Sequence, residues 1–405
     1  MAAYIRNTTN ASVAGKDYSV LGTSFNKAVK DIAEANFKIL FIATGTPSIV
    51  TDLEFCKLVK ERSPSTKIVI LGTHVSHYAK DIISKHNYID FIIHGEPEEP
   101  ALNIVKYIFE DSEFDHRAIT SSNNSSSDIL LIEDLDKLPI PAWDLFDLSH
   151  YKLPIQGKSF LLVSPQRGCP WKCTFCTAPL YYGSKIRSKS PQKIREEIEY
   201  LKKHYGISNF LFWSDTFTAN KVYVKELCKE IEDLNIKWVS NSRVDTITEE
   251  LASVMKDAGC WMLTYGIESL NNDVLQTVQK GFNSSQVEAG VNAAKKSNIL
   301  TIGHFIMGLP SDNKASLLET FKKAQKLNLD FLQFYYAAPF PGTALHKDFV
   351  SRRIVSDHSL NTYSQESENH FRGYKLLARF IKFRTLFRLK TFSFILFNIK
   401  ARFFA

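Results

Sequence analysis

The sequence predicts an α/β protein of two domains. A Rossmann-like, doubly wound N-terminal domain is followed by a partial (β/α)6 barrel, and a basic amphipathic helical tail closes the chain. Three observations point there. Across residues 37–94, short apolar runs alternate with helical ones in the order β-α-β-α-β, the pattern of a parallel sheet. Across residues 160–337, a strand-then-helix unit recurs six times, which is too few for a closed eightfold barrel. Finally, 405 residues at 44% hydrophobic content exceed one ordinary domain and supply the apolar mass for two cores.

In the N-terminal domain, strands are expected at residues 38–43, 67–71 and 91–94, with helices near 52–62 and 78–86. Three loops leave the carboxyl ends of these strands, where open α/β sheets bind their ligands. They are Thr44-Gly45-Thr46-Pro47-Ser48, Gly72-Thr73-His74-Val75-Ser76 and Gly95-Glu96-Pro97-Glu98-Glu99. Thr44, Gly72, His74 and Gly95 are the candidate ligand contacts; His74, on a loop, reads equally well as a plain polar surface group. No Gly-x-Gly-x-x-Gly fingerprint follows a strand, so a dinucleotide site has little support. Residues 120–128, Thr-Ser-Ser-Asn-Asn-Ser-Ser-Ser-Asp, have a linker composition, and Leu138-Pro139-Ile140-Pro141 reads as an extended strap. The expected division is therefore 1–119 for the first domain, 120–154 for linker and strap, 155–345 for the barrel and 346–405 for the tail.

In the barrel, strands are expected at residues 160–164, 209–213, 237–240, 261–267, 300–307 and 331–337. Helices fall between them near 191–204, 221–234, 248–258, 284–297 and 314–327. Ser190-Pro191 and Thr248-Glu249-Glu250 are helix-start signals, and Gly206 and Gly259 mark helix ends.

The most informative stretch follows the first barrel strand, where Cys169, Cys173 and Cys176 lie within eight residues. A structural zinc site closes with four protein ligands, usually as two pairs, and no second pair exists here. Cys56, Cys228 and Cys260 are isolated and far apart. A cubane iron–sulfur cluster on three cysteines keeps one iron open for a small bidentate ligand. A zinc knuckle and three structural thiols are the competing readings.

Barrel chemistry sits at the carboxyl ends of strands, so polar residues there are candidates. The second strand ends at Ser214-Asp215-Thr216. The third ends at Asn241-Ser242-Arg243, whose guanidinium can pair with a carboxylate, and the fourth at Gly266-Ile267-Glu268-Ser269. The fifth leads through His304 to Met307-Gly308, a glycine that permits close backbone approach to a ligand. Each also has a structural reading: Glu268 as a strand-end ion-pair partner, Arg243 as scaffold, His304 as a core histidine, Tyr335 and Tyr336 as packing.

The spacing Cys-x-x-x-Cys-x-x-Cys, with Phe175 before the last cysteine, resembles the signature of the radical S-adenosylmethionine (SAM) superfamily. The resemblance implies a [4Fe-4S] cluster on Cys169, Cys173 and Cys176 that binds SAM at its open iron and cleaves it to methionine and a 5′-deoxyadenosyl radical. It further implies that Asp215 and Thr216 lie where the SAM amino group is received, and Glu268 in the adenosyl and ribose contact region. An electron donor such as flavodoxin or ferredoxin is implied as partner. The three N-terminal loops, with Leu21-Gly22 and Ser24 before them, resemble the cobalamin-binding domain found ahead of many such barrels. Two departures stand out: the pattern begins near Tyr18, leaving no room for a complete first strand–helix unit, and no Asp-x-His-x-x-Gly motif is present. Asp215-Thr216-Phe217, Gly266-Ile267-Glu268-Ser269 and Ala338-Pro339-Phe340-Pro341-Gly342-Thr343 resemble the branch containing the anaerobic magnesium-protoporphyrin cyclase and the cyclitol-forming lipid enzymes. That branch implies a bulky, apolar, lipid- or tetrapyrrole-like substrate. The rivals are a radical SAM enzyme without cobalamin and a non-catalytic iron–sulfur binding protein.

Charge and composition bound the rest. The net charge of +7 resides in residues 371–405, which hold nine Lys or Arg and no acid; without them 41 basic residues face 43 acidic ones. Such a basic, aromatic-rich segment can lie on an anionic membrane surface, or pack as a terminal helix with its charges in water. Nucleic-acid binding is disfavoured because no recognised module accompanies the charge. Residues 1–20 lack the apolar core of a secretory signal, and no run of about 18 apolar residues suggests a membrane span. A free thiol trio needs a reducing compartment, so the expected location is cytoplasmic, with peripheral membrane contact through the tail.

Overall fold

The computed structural model describes residues 1–153 and 157–357. The expected basic extension at 371–405 lies outside the described residues. The chain divides into two compact units. One comprises residues 1–150 together with 175–183 and 339–357, and the other comprises the described residues of 151–174 and 184–338.

In the first unit, α1 (Ala2–Thr8), α2 (Phe25–Ala35), β1 (Ile39–Ala43), α3 (Ile49–Arg62), β2 (Lys67–Leu71), α4 (Thr73–His77), α5 (Ala79–Lys85), β3 (Phe91–Ile93), α6 (Glu98–Glu110) and β4 (Ile119–Thr120) follow in order. The strands are arranged β1-β2-β3-β4. The first three pair in parallel, Leu40 opposite Ile68 and Ile70 opposite Ile92, and β4 adds antiparallel to β3. Alternation along β2 explains the double winding. Ile68 and Ile70 enter a core with Val29, Leu53, Val59 and Ile82, whereas Val69 and Leu71 enter one with Ile5, Ile104 and Val105. A strand covered on both faces has to be apolar at every position, which is why Ile-Val-Ile-Leu reads as a continuous run. Burying each such side chain contributes about 1.5–3 kcal/mol.

Two features differ from expectation. The helix expected at 78–86 coincides with α5, but a further short helix, α4, precedes it, so that His74 lies in the first turn of α4 rather than on a loop. Gly72 makes this possible: its φ is +134°, and a Cβ there would come within 2.1 Å of the Thr44 carbonyl oxygen. The antiparallel β4 is too short to leave a periodic signal.

The second unit continues with β5 (Leu161–Val163), β6 (Gln166–Arg167), β7 (Arg187–Ser188), α8 (Pro191–Tyr205), β8 (Asn209–Phe212), α9 (Lys221–Ile231), β9 (Lys237–Ser242), α10 (Glu249–Asp257), β10 (Cys260–Glu268), α11 (Asn272–Thr277), α12 (Ser284–Lys296), β11 (Leu300–Met307), α13 (Lys314–Lys326) and β12 (Phe331–Tyr336). Between β6 and β7, α7 (Ala178–Tyr182) groups with the first unit, as does α14 (Ala344–Ser351) after β12. Six strands form one parallel sheet in the order β12-β11-β10-β9-β8-β5, each beside its sequence neighbour. Among the described residues β5 and β12 are its edges, so the barrel is partial, as expected.

Caps set the helix starts. Ser190 accepts the Lys193 N–H ahead of Pro191, Thr248 accepts that of Leu251, and Asn283 and Gln286 form a capping box. Gly206 ends α8 in the left-handed region. Along β11, Thr301, Gly303, Phe305 and Met307 are buried while Leu300, Ile302, His304 and Ile306 are partly exposed. On that second face the register sets His304 beside Gly266 and Gln333, with Asn241 beside Thr264. The amino-terminal half of this face is apolar, with Leu211, Val239, Met262, Leu300 and Ile302 in one cluster. Its carboxyl-terminal half is polar.

Candidate active site

The cysteine loop begins where β6 ends, just after β5. Gly168, with a φ of +94°, turns the chain, and its N–H donates to Asp215 Oδ2 at 2.9 Å. Asp215 thus anchors the loop to the end of β8. Cys169 is buried, with Sγ 3.7 Å from Thr216 Oγ1, and the Thr216 hydroxyl donates to the Asp215 carbonyl at 2.7 Å. Farther along, the Thr174 N–H donates to the Val278 carbonyl at 3.1 Å, fixing the loop a second time. Cys176 accepts the Ala178 N–H at 3.4 Å as α7 starts.

A second group faces Cys173. Glu268 and Lys280 form a buried ion pair at 2.9 Å, each side chain 8% exposed. The Glu268 backbone is left-handed, φ +69°, and its carboxylate folds back over Gly266, where a Cβ would lie 2.6 Å from Oε1. Arg243 is buried, donates two 3.0 Å bonds to Asp245 and a third, at 2.7 Å, to the Lys280 carbonyl. Its guanidinium lies over Trp171, 4.3 Å from the ring centroid, and over Phe282 at 4.9 Å. Burial pushes the Cys173 thiol up, while the Lys280 and Arg243 charges act against that rise. These two cations are the local counter-charge for a thiolate.

Gly308 has a φ of +86°, and its N–H donates to Asp312 Oδ2 at 2.9 Å. Burial holds the Asp312 carboxyl above its ordinary range. His304 Nδ1 lies 3.3 Å from the Tyr335 hydroxyl, their rings stack, and that hydroxyl donates to Gln333. Burial keeps the His304 imidazole below its usual pKa.

The N-terminal candidates sit at the carboxyl edge of the first unit's sheet. Thr44 donates to Asp52 at 2.5 Å, and His74 is fully buried, with Nδ1 3.0 Å from Thr46 Oγ1. A Cβ on Gly95 would lie 3.0 Å from Ile129 Cβ, so this glycine admits the close approach of Ile129. The structure therefore gathers Cys169, Asp215 and Thr216 in one group, Cys173, Arg243 and Glu268 in another, and Thr44, Gly72, His74 and Gly95 in the other unit. Sequence reasoning did not single out Lys280, Asp245 or Trp171. Trp171, inside the cysteine loop, was the visible signal, because an aromatic beside ligating residues invites a cation.

The chemistry of this donor set fits an iron–sulfur cluster. All six cysteines are free; Cys56, Cys228 and Cys260 are buried, and burial pushes the Cys56 thiol far up and that of Cys228 to about 12. The 169–176 loop brings three thiols within eight residues, one of which, Cys173, has the Lys280 and Arg243 cations beside it. A model of the radical SAM superfamily matches residues 163–324. An uncharacterized methyltransferase of Pyrococcus horikoshii, PH0819, is 30% identical over 82% of this chain and 73% of its own length. The anaerobic magnesium-protoporphyrin IX monomethyl ester cyclase of Cereibacter sphaeroides is 25% identical over 83% of this chain, which spans 57% of that enzyme. Among solved structures, the radical SAM methyltransferase TsrM of Kitasatospora setae superposes with a TM-score of 0.71 at 14% identity, over 87% of this chain and 72% of its own. The cobalamin-dependent radical enzyme OxsB does so at 0.68 and 18% identity, over 92% and 58%. These likenesses establish the fold. Together with the methyltransferase relative and the matched domain, they identify the chain as an enzyme of the radical SAM superfamily, whose cofactors are a [4Fe-4S] cluster and SAM.

Proposed function

We propose that the chain is a cobalamin-linked radical SAM enzyme acting on a bulky, apolar substrate, lipid-like or tetrapyrrole-like. The observation that supports the cobalamin assignment is a set of exposed apolar side chains in the first unit. Val50 opens α3 beyond the end of β1, Ile129 packs on Gly95 beyond β3, and Leu180 of α7 lies against Gly342. These side chains and Phe340 are exposed although large and apolar. Exposed apolar side chains that follow the carboxyl ends of parallel strands suit the apolar face of a ligand. Solved relatives in fold carry cobalamin, TsrM with a [4Fe-4S] cluster and OxsB with SAM.

Cys169, Cys173 and Cys176 would hold the cluster. Bound there, a reduced cluster would supply the electron for reductive cleavage of SAM, and with it the means to abstract hydrogen from an unactivated carbon. This chain's residues do the positioning. Asp215 and Thr216 fix the loop and lie beside its first thiol, and Lys280 and Arg243 offset the negative charge that thiolates bring into a buried site. Across the sheet, the apolar amino-terminal half of the inner face excludes water. His304, Tyr335 and Gln333 offer the polar contacts that orient a substrate.

One observation favours a cobalamin-free radical enzyme. His74 is buried against Thr46, and Gly72 and Gly95 are each accounted for by the chain's own close approaches. Titration of anaerobically reconstituted protein with hydroxocobalamin separates the readings. We expect one corrinoid per chain, weakened at least tenfold by Val50→Asp or Leu180→Asp. Absence of stoichiometric corrinoid alongside intact SAM cleavage overturns the cobalamin assignment and leaves the radical chemistry standing.

A further inference from the structure

The first unit holds a second constellation of ligating side chains, remote in sequence from the cysteines. His77 ends α4, His346 lies in the first turn of α14, and Asp357 follows that helix. One ligating atom from each lies within 4.8 Å of the other two. We propose that His77, His346 and Asp357 bind one divalent first-row transition ion of the zinc class.

Geometry and donor type both support the site. The two imidazole rings meet edge to face, with centroids 5.8 Å apart and an interplanar angle of 88°. In this arrangement one nitrogen of each ring and a carboxylate oxygen of Asp357 lie within 4.8 Å of one another. Asp357 Oδ1 lies 3.8 Å from His346 Nε2, too long for a hydrogen bond. It is close to the separation of two ligands on one ion: at zinc–ligand distances of about 2.0–2.1 Å, tetrahedral neighbours are about 3.4 Å apart. Closing the triangle from at most 4.8 Å needs a shift of up to about 1.4 Å, which the exposed His77 and Asp357 side chains can supply by rotation. His346 is the fixed member, 3% exposed.

A supporting hydrogen bond is in place. The Tyr78 hydroxyl donates to Asp357 Oδ1 at 2.7 Å and lies 3.4 Å from His346 Nε2. Metal-bound carboxylates are commonly held by such an outer partner. Two imidazoles and one carboxylate suit zinc, iron(II) or cobalt(II) rather than magnesium or calcium, which prefer an all-oxygen shell. Gly342 belongs to the same construction: its φ is +84°, and a Cβ there would lie 3.4 Å from His77 Nδ1 and 2.9 Å from Leu180. The glycine lets the chain pass close to His77 just before α14 delivers His346. An ion here would fasten residues 344–357 to α4, closing a loop of more than 250 residues. It stands independently of the cobalamin assignment.

The test uses the full chain with its cluster reconstituted, so that iron occupies the three thiolates, and zinc as the probe. Zinc and iron are counted per chain by mass spectrometry after titration against a competing chelator, and melting temperature is followed in parallel. We expect one zinc per chain with iron content unchanged, and a zinc-dependent rise in melting temperature. Replacing an outer partner of a metal ligand typically costs 10–100-fold in affinity, so Tyr78→Phe should weaken zinc about tenfold, and His77→Ala or Asp357→Asn at least about a hundredfold. His77 and Asp357 are exposed, so these variants should retain the parent's zinc-free melting temperature. Failure of the parent to take up zinc at micromolar concentration overturns the proposal, as does uptake that His77→Ala and Asp357→Asn leave unchanged.

Discussion

Replacing Lys280 by methionine tests the electrostatic construction around Cys173 most sharply. The parent pair is 2.9 Å long and each side chain is 8% exposed. At an effective dielectric of about 20, the attraction at that distance is about 6 kcal/mol. Desolvation costs several kcal/mol per ion, so the pair contributes little net. Removing only the ammonium leaves the Glu268 carboxylate buried and uncompensated, a loss of about 3–5 kcal/mol. In a unit of this size about 1 kcal/mol corresponds to 2–4 °C, so the melting temperature of the apo-protein should fall by on the order of 10 °C. Lys280→Met combined with Glu268→Gln removes both charges and should recover most of that loss. The double variant should still load its cluster poorly, because the larger of the two cationic influences opposing the rise of the Cys173 thiol is gone, and it outweighs the Glu268 charge removed with it. Two results refute the reasoning: a double variant no more stable than the single one, or full iron loading in both.

Gly72→Ala forces a Cβ to within 2.1 Å of the Thr44 carbonyl at a φ of +134°, and should destabilise the first unit by on the order of 3 kcal/mol in denaturant unfolding. An unchanged midpoint would contradict the close approach. His304→Gln should leave substrate-free SAM cleavage within about twofold of the parent, since His304 is assigned to substrate, whereas Glu268→Gln should reduce it; chromatography of 5′-deoxyadenosine decides. Burial tends to raise the Asp90 carboxyl, but the Ile68 N–H and the Lys60 and Lys67 ammonium groups outweigh it and hold it below its ordinary value. A carboxyl depressed in the folded state contributes stability above its unfolded pKa of about 3.9 and loses it as pH falls through the folded value. Asp90→Asn should therefore lower stability at pH 7, with the gap to the parent closing below about pH 4. A gap constant from pH 7 to pH 3 would contradict this.

Much of the architecture was legible because parallel strands and amphipathic helices announce themselves by local pattern. The expected strands at 67–71 and 300–307 coincide with β2 and β11, and the expected helices of the barrel lie within a few residues of α8, α9, α10, α12 and α13. The misses have physical causes. The short α4, ahead of the expected helix at 78–86, escaped notice because Gly72 lets the chain turn directly off β2, which depends on the Thr44 carbonyl of another loop. Segments 175–183 and 339–357 group with the first unit through long-range packing, such as Gly95 against the Tyr181 carbonyl and Gly342 against His77, and no local periodicity encodes that. Glu268 was visible at a strand end, but its partner Lys280 lies twelve residues on, past α11. His77, His346 and Asp357 are likewise brought together by folding alone. No described helix is long and apolar enough to cross a membrane.

The central claim concerns what Cys169, Cys173 and Cys176 hold. The decisive measurement is iron, zinc and acid-labile sulfide per chain in anaerobically purified, reconstituted protein, with 5′-deoxyadenosine release from SAM after reduction. The account predicts about four iron and four sulfide, release of the nucleoside, and loss of both when any one of the three cysteines is replaced by alanine. Zinc on these thiols without labile sulfide, or undiminished cleavage in the alanine variants, would contradict it.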